Sequence, residues 1–138
     1  MALKISLKPN ERIIIGGAVV TNGNSKCDLF FENKVPLLRE KDIMSESAAE
    51  TPASRIYFVI QLMYIDGENM AVHHQTYWKL VKAFLGAVPS ALPIIDQIND
   101  HILKGNHYTG LKTAAKLIEY EQEVISRVSD SATSLPDS

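Results

Sequence analysis

Few side chains of this 138-residue sequence have the type and spacing that reaction chemistry requires. His73 and His74 are adjacent, so on a helix their rings would point about 100° apart, which does not suit one metal ion. His101 and His107 have no cysteine or carboxylate pattern beside them. Cys27 is the single cysteine, and a small buried hydrophobic role fits it better than a nucleophilic one. The sequence therefore predicts no enzyme, no cofactor and no metal site.

One segment has the character of a binding site, residues 38–43, LREKDI, where charged residues alternate at the end of a short predicted strand. Arg39 can donate hydrogen bonds to phosphates or to the edge of a base. Lys4 and Lys8 would join this site if the first and last predicted strands are neighbours. The competing interpretation is a solvated strand edge whose Lys and Glu side chains prevent edge-to-edge aggregation.

Two further groups lie in the region that we expect to be helical. Tyr77 and Trp78 are candidates for a partner-binding anchor, although aromatic residues in a helical stripe more often belong to the core. The acidic residues Glu119, Glu121 and Glu123 are spaced two apart and do not share a helical face. We interpret them as a solvated surface rather than a carboxylate pair.

Composition and charge limit the class of protein. Hydrophobic residues make up 46% of the chain and charged residues 22%, the balance of a globular protein. The formal net charge is −2, but residues 1–44 carry seven Lys or Arg against five Asp or Glu, which gives +2 there and −4 in the remainder. Contact with a polyanion is therefore expected in the N-terminal third. The opening residues lack the apolar stretch of a signal peptide, and no apolar run could span a bilayer, so we expect a cytoplasmic protein without membrane contact.

The N-terminal third has the pattern of short strands joined by turns. The sequence Asn22-Gly23-Asn24 predicts a hairpin between the third and fourth strands, because Asn and Gly tolerate positive φ. Spacings this short leave no room for crossover helices, so the strands should be antiparallel. The predicted strands are 4–7, 12–15, 18–21, 26–31 and 35–39.

Apolar residues follow a helical period after residue 50. Thr51 followed by Pro52 is typical of a helix start, and Ser90 is a candidate cap for a later helix. We expect helices at 51–65, 69–85, 90–104 and 108–128, with short loops that favour antiparallel neighbours. The predicted fold class is thus α+β: a small antiparallel β module of about five strands at 1–44, a linker at 45–50, an antiparallel bundle of about four helices at 51–128, and a disordered tail at 129–138.

Four blocks of the sequence, in this order, resemble the FlbT family of flagellin-expression regulators: LKISLKPNERIIIGGAVVTNG, ENKVPLLREKDIM, TPASRIYFVIQLMYID and AAKLIEYE. The resemblance runs from Leu3 to about Glu121. It implies a cytoplasmic bacterial regulator that acts after transcription, binding the 5′ untranslated region of flagellin mRNA and controlling its translation and decay. The implied partners are the flagellin mRNA leader and, among proteins, flagellin or another flagellar regulator.

The N-terminal third also resembles the carbon storage regulator family (CsrA), small five-stranded β proteins that bind message leaders as intertwined dimers. The similar segments are 10–16, NERIIIG, 22–24, NGN, and 38–43, LREKDI. Arg39 stands where that family has its key arginine, and Leu38 where it has a histidine. The resemblance implies a dimer and an RNA-binding surface on the first and last strands. The expected RNA-binding residues are Lys4, Ser6, Lys8, Leu38, Arg39 and Lys41.

A different class of function is also open. The helical two-thirds carries the net negative charge, and no strong basic patch is visible. These features favour a protein-interaction adaptor or chaperone-like module of flagellar assembly, which would act on mRNA only indirectly. The residues alone do not distinguish this alternative from RNA binding.

Overall fold

The computed structural model describes residues 2–133, with side chains described for residues 2–128. Five antiparallel strands are followed by four α-helices, which confirms the predicted α+β fold class. Within the described residues no helix is both long and apolar enough to cross a membrane. The strands are β1 (Leu3–Leu7), β2 (Arg12–Ile15), β3 (Ala18–Thr21), β4 (Cys27–Phe31) and β5 (Leu37–Arg39), and the helices are α1 (Pro52–Ile65), α2 (Met70–Ala87), α3 (Leu92–Leu103) and α4 (His107–Thr133).

The strands form two small sheets rather than one. The first sheet pairs β1 with β4, and the second has the order β3-β2-β5. The tight hairpin turn is Gly16-Gly17, which joins the paired residues Ile15 and Ala18. Both glycines have positive φ, +55° and +92°, as a two-residue hairpin loop requires. A Cβ on Gly17 would also lie 3.0 Å from the carbonyl oxygen of Ile65.

The predicted hairpin at residues 22–24 is wrong, because β3 and β4 belong to different sheets. The chain crosses from one sheet to the other at this point, and the Asn22 side chain stabilises the crossing. Its amide donates to the carbonyl oxygens of Lys8 and Ser25 at 2.8 and 2.9 Å. Its own oxygen accepts from the Cys27 thiol at 3.2 Å. Asn22 thus serves as a polar bridge rather than as a turn residue with positive φ.

The second sheet lies between the first sheet and the helices, because β2 is apolar on both faces. Ile14 and its neighbour in the sheet, Leu38, pack in the main core with the helices. Ile13 faces the other way and packs with Ile5 and Leu7 of β1 in a smaller core. Adjacent residues of a strand point to opposite faces, so the run of isoleucines in β2 serves two cores.

The start of α1 matches the sequence prediction. The Thr51 hydroxyl accepts from the Ser54 backbone N–H at 3.1 Å, and the Ser54 hydroxyl accepts from the Thr51 N–H at 2.8 Å. This reciprocal capping box stabilises the first turn, and Pro52 occupies the first helical position. The helix is the centre of the bundle, where it contacts both α2 and α4.

The ends of the later helices differ from the predictions. The second helix continues through Gly86 to Ala87. Ser90 does not cap α3, since its hydroxyl pairs with the Tyr120 hydroxyl instead. The fourth helix continues to Thr133, so residues 129–133 are helical rather than part of a disordered tail. The rest of the predicted tail, 134–138, lies outside the described residues.

Direct contacts join the strands to the helices across the predicted linker. The Leu37 N–H donates to the Tyr64 hydroxyl at 3.0 Å. The Gln61 side chain bonds both the N–H and the carbonyl of Met44, at 2.8 and 2.9 Å. The linker region 45–50 contains a 3-10 turn, Glu46–Ala48, capped by Ser45. The division at residues 44 and 51 stays a prediction, and the apolar core extends across it.

Candidate nucleic-acid interface

Three of the predicted RNA-binding residues line one cleft. Lys8 lies in the turn between β1 and β2, and Arg39 and Lys41 lie at the end of β5 and in the 3-10 turn Glu40–Asp42 that follows it. The cleft has a volume of about 460 Å³. Asn10, with φ +64°, shapes the wall that the β1–β2 turn contributes. The fold thus places the turn after β1 and the end of β5 at one cleft, although the two strands belong to different sheets.

Arg39 is the centre of this cleft and joins the two sheets. Its Nη2 donates to the Ser6 carbonyl at 2.9 Å, although β1 and β5 belong to different sheets. The same nitrogen lies 3.5 Å from Glu11 Oε2. Among the described residues the Nε and Nη1 atoms of Arg39 have no hydrogen-bond partner. The guanidinium is therefore oriented by one nitrogen and keeps donors for a phosphate or a guanine edge.

Glu11 holds Arg39 in place from the β1–β2 turn. Its Oε1 accepts the backbone N–H of Lys8 at 2.9 Å. That hydrogen bond, followed by the charge of Arg39, lowers the pKa of Glu11 below its ordinary value of 4.5. The carboxylate is thus charged at neutral pH, where it orients the guanidinium and offsets part of its charge.

Lys4 and Ser6 lie on the outer face of β1, with their side chains engaged by Asp28 of β4. The Ser6 hydroxyl donates to Asp28 Oδ1 at 2.6 Å, and Lys4 Nζ lies 3.7 Å from Oδ2. The Ser6 hydrogen bond, followed by the charge of Lys4, lowers the pKa of Asp28. Lys4 and Ser6 thus share the outer face of β1, while Arg39 contacts the backbone of the same strand at the Ser6 carbonyl.

Leu38 is a correction to the predicted site. Its side chain is only 1% exposed and packs in the main core with Ile14 and the helices. Alternation in β5 explains this, because Leu38 faces the helices while Arg39 faces the first sheet. Leu38 therefore positions Arg39 by anchoring the strand and presents no surface to a ligand.

Tyr77 is a second correction. It is fully buried, and its hydroxyl donates to the Asn99 side chain. Burial raises the pKa of this hydroxyl. Trp78 is 42% exposed, and its ring packs edge-on against Tyr77 with centroids 5.1 Å apart. Of the two predicted anchor residues, only Trp78 has a surface that a partner could contact.

Ion pairing leaves the strand region with a larger excess of unpaired cations than its formal net charge of +2 indicates. Four of its five acidic residues are in ion pairs, and one of these uses a cation from the helical part, Lys112, which lies 2.9 Å from Asp42. The other pairs are Lys4–Asp28, Arg12–Glu40 and Arg39–Glu11. Lys8, Lys26, Lys34 and Lys41 have no ion-pair partner among the described residues. The contact of Lys112 with Asp42 thus neutralises an acid of the strand region without using one of that region's own cations.

Sequence reasoning missed two residues with distinctive surroundings. Phe30 lies on the outer face of β4, is 64% exposed and stands directly opposite Lys4. Phe30 and Phe31 are adjacent in β4, so they face opposite sides of the sheet, but alternation alone does not decide which of them faces outward. Glu121 was interpreted as a solvated acid, which is wrong, since it is 5% exposed and its Oε2 accepts the Ala53 N–H at 2.9 Å. No local pattern indicates that burial.

The chain is similar to a known family over most of its length. A family model described as "Flagellar protein FlbT" matches residues 3–125. The "Probable flagellum biosynthesis repressor protein FlbT 1" of Bradyrhizobium diazoefficiens is 47% identical, over 90% of this chain and 85% of the relative. A "Probable flagellum biosynthesis repressor protein FlbT" of Caulobacter sp. strain K31 is 41% identical, over 94% and 100%. The "Flagellum biosynthesis repressor protein FlbT" of Caulobacter vibrioides is 38% identical, over 94% and 93%. No solved structure matches the chain.

Proposed function

The chain belongs to the FlbT family of flagellar proteins, and we propose that it regulates flagellin synthesis by binding the 5′ untranslated region of flagellin mRNA. The names of its relatives, which are described as repressors of flagellum biosynthesis, support a regulator of flagellar synthesis. In this proposal the protein acts in the cytoplasm, where the bound leader is unavailable to the ribosome and the message is directed to decay.

The cleft that holds Arg39 between Lys8 and Lys41 is the observation that supports RNA binding most directly. A planar guanidinium can bind a phosphate or the edge of a guanine through two parallel hydrogen bonds, and lysines hold phosphates as point charges. The target would be single-stranded or looped RNA, because duplex RNA hides its bases in a deep, narrow groove.

A homodimer would raise the affinity of a site with so few cations, because a second cleft acts at high effective concentration. The outer edge of β3 supports this part of the proposal. All four residues of β3 are exposed, and none carries a charge that would oppose strand addition. Pairing of β3 with its copy would extend the second sheet across the dimer. Analytical ultracentrifugation of the purified chain measures whether it is a monomer or a dimer.

The test of RNA binding is an anisotropy titration of the purified full chain with the flagellin leader of the same organism, at several salt concentrations. We expect Arg39→Ala to weaken binding roughly 5- to 100-fold and to reduce the salt slope by about one. Arg127→Ala is the matched control, because it removes the same charge from an exposed ion pair on α4. Arg127→Ala should bind the leader as the wild type does. A scrambled leader should bind neither protein.

A second variant guards against a change in fold, since Arg39 also bonds the Ser6 carbonyl. Arg39→Lys keeps the charge and loses the planar fork, so its affinity should lie between those of the wild type and Arg39→Ala. Thermal unfolding of each variant gives the correction for stability. If Arg39→Ala binds the leader as tightly as the wild type does, the cleft is not the RNA-binding surface.

The alternative function is a protein-interaction adaptor or chaperone-like module of flagellar assembly. The exposed Trp78 on α2 favours it, because aromatic residues are frequent anchors in protein interfaces. This candidate predicts no leader binding by the purified chain and a complex with purified flagellin that Trp78→Ala abolishes. Val72→Ala, at another exposed apolar position of α2, is the control that should keep the complex.

A further inference from the structure

Phe30 is an exposed aromatic residue whose neighbours are polar. It occupies the outer face of β4, while Phe31 faces inward and packs against the small core. Single exposed apolar residues are common on protein surfaces and need no explanation by themselves. Phe30 differs from them in its polar neighbours on the sheet. The strand register places Lys4 directly opposite Phe30, and Ser6 opposite Asp28.

This outer face is continuous with the cleft. Side chains at directly opposite positions of an antiparallel pair have Cβ atoms about 5 Å apart, so Lys4 lies beside the Phe30 ring. Lys4 and Ser6 alternate on the outer face of β1, and Lys8 lies just beyond the end of the strand, in the turn that lines the cleft. Arg39 reaches the backbone of β1, where its Nη2 donates to the Ser6 carbonyl at 2.9 Å. The backbone of Ser6 thus connects the outer face, with Phe30 and Lys4, to the cleft that Lys8, Arg39 and Lys41 line.

We propose that Phe30 is a stacking platform for one unpaired base of the bound RNA, with Lys4 on the adjacent phosphate. The inference rests on the proposed RNA-binding function. The strand of RNA would cross Ser6 and enter the cleft of Lys8, Arg39 and Lys41. Every base has a flat π-face that stacks on an aromatic ring, so this contact adds affinity without selecting a sequence. Selection then belongs to Arg39, which can read a base edge.

The surroundings of Phe30 favour a nucleotide over an apolar protein surface. The side chains beside it on this face are Lys4, Ser6 and Asp28, so a broad apolar partner would bury charged groups there. A nucleotide pairs a flat apolar base with a phosphate, which matches an aromatic ring beside a lysine. The ion pair between Lys4 and Asp28 is exposed and 3.7 Å long, so Lys4 can exchange Asp28 for a phosphate at little cost.

The experiment compares Phe30→Leu with Phe30→Tyr in the leader-binding titration. Loss of the ring should weaken binding roughly 5- to 100-fold, whereas Phe30→Tyr should keep it. The salt slope of Phe30→Leu should equal that of the wild type, because no phosphate contact is lost. Leu103→Ala, at an exposed apolar position of α3, is the control and should not change the affinity.

Three further experiments test the contact itself. An abasic residue placed successively along the leader should weaken wild-type binding at one position and have no added effect in Phe30→Leu. Phe30→Trp, in a Trp78→Phe background, should show fluorescence quenching when RNA binds. Asp28→Asn, which retains the hydrogen bond to Ser6, should increase the affinity by releasing Lys4.

The outcomes separate this inference from the proposed function. If Phe30→Leu binds the leader as the wild type does while Arg39→Ala does not, the cleft binds RNA and Phe30 is not a platform. If the wild type does not bind the leader at all, both proposals are wrong.

Discussion

Arg39 shows how much one side chain depends on its neighbours in this protein. Leu38 anchors β5 in the core, the Ser6 carbonyl accepts a hydrogen bond from Arg39 Nη2, and Glu11 lies beside the guanidinium. Such restraint lowers the conformational entropy that a flexible arginine would lose on binding a ligand. The opposite charge of Glu11 also weakens the attraction for phosphate. Glu11 therefore helps to orient the Arg39 guanidinium but offsets part of its positive charge.

His107, the first residue of α4, should make stability depend on pH. Burial, followed by the charge of His74, lowers the pKa of His107 below its ordinary value of 6.5. The unfolded chain therefore binds a proton at a higher pH than the folded chain does. Stability should be full above about pH 6.5 and decrease as the pH falls through the lowered pKa.

The measurement is urea unfolding of the wild type and His107→Gln between pH 5 and pH 8. The difference between the two proteins isolates His107, because the other titrating groups are common to both. We expect the wild type to lose more stability than His107→Gln on acidification. Parallel pH profiles for the two proteins would contradict the assignment.

At the scale of elements, a buried hydrogen bond joins α4 to the start of α1. Glu121 Oε2 accepts the N–H of Ala53, one of the amides at the start of α1 that lack a partner within the helix. The positive end of the helix dipole favours a carboxylate at this position. Together with the Thr51 and Ser54 capping box, this contact satisfies the helix start from two sides.

Glu121→Ala should therefore destabilise the fold by about 1–3 kcal/mol, because it leaves a buried N–H without an acceptor. Glu121→Gln retains an acceptor oxygen and should cost less. Glu119→Ala, an exposed acid on the same helix, should change stability by less than about 0.5 kcal/mol. Urea unfolding followed by circular dichroism measures all three, and equal effects of Glu121→Ala and Glu119→Ala would show that the contact is not needed.

The whole molecule is arranged in three layers, with the second sheet between the first sheet and the helices. The strands of this middle layer contribute to two cores, so separating the strand region from the helices would expose Ile14 and Leu38. The salt bridge from Lys112 to Asp42 adds a polar contact between the same two regions. A ligand on the outer strands is thus connected to the bundle through packed side chains.

Leu38→Ala tests whether the two regions unfold together. Truncation of this buried leucine should cost about 2–5 kcal/mol. Trp78 fluorescence reports on α2, which is far along the chain from Leu38. We expect the Trp78 transition to shift to lower urea together with the loss of circular dichroism. An unchanged Trp78 transition would instead support independent units at 1–44 and 51–128.

Local signals predicted the elements well. The helix start at Thr51 and Pro52 and the strands β2 and β3 depend on neighbours within a few residues, and the structure confirms them. The turn at Gly16-Gly17 is likewise local, because both residues need positive φ. Charge counting also placed the cationic surplus in the N-terminal third before any contact was known.

Only the tertiary structure decided which surfaces these elements share. Strand pairing is not local, so the strong turn signal at residues 22–24 gave no information about the partner of β3. Alternation in β5 separates Leu38 from Arg39, but the position of a second sheet determines which of them faces a ligand. The burial of Glu121 and the pairing of Asp42 with Lys112 depend in the same way on residues distant in the chain. The sequence by itself determined the elements and their order because short-range sterics and hydrogen bonds suffice for them, whereas the cleft exists only where long-range packing brings residues 8–11 and 39–41 together.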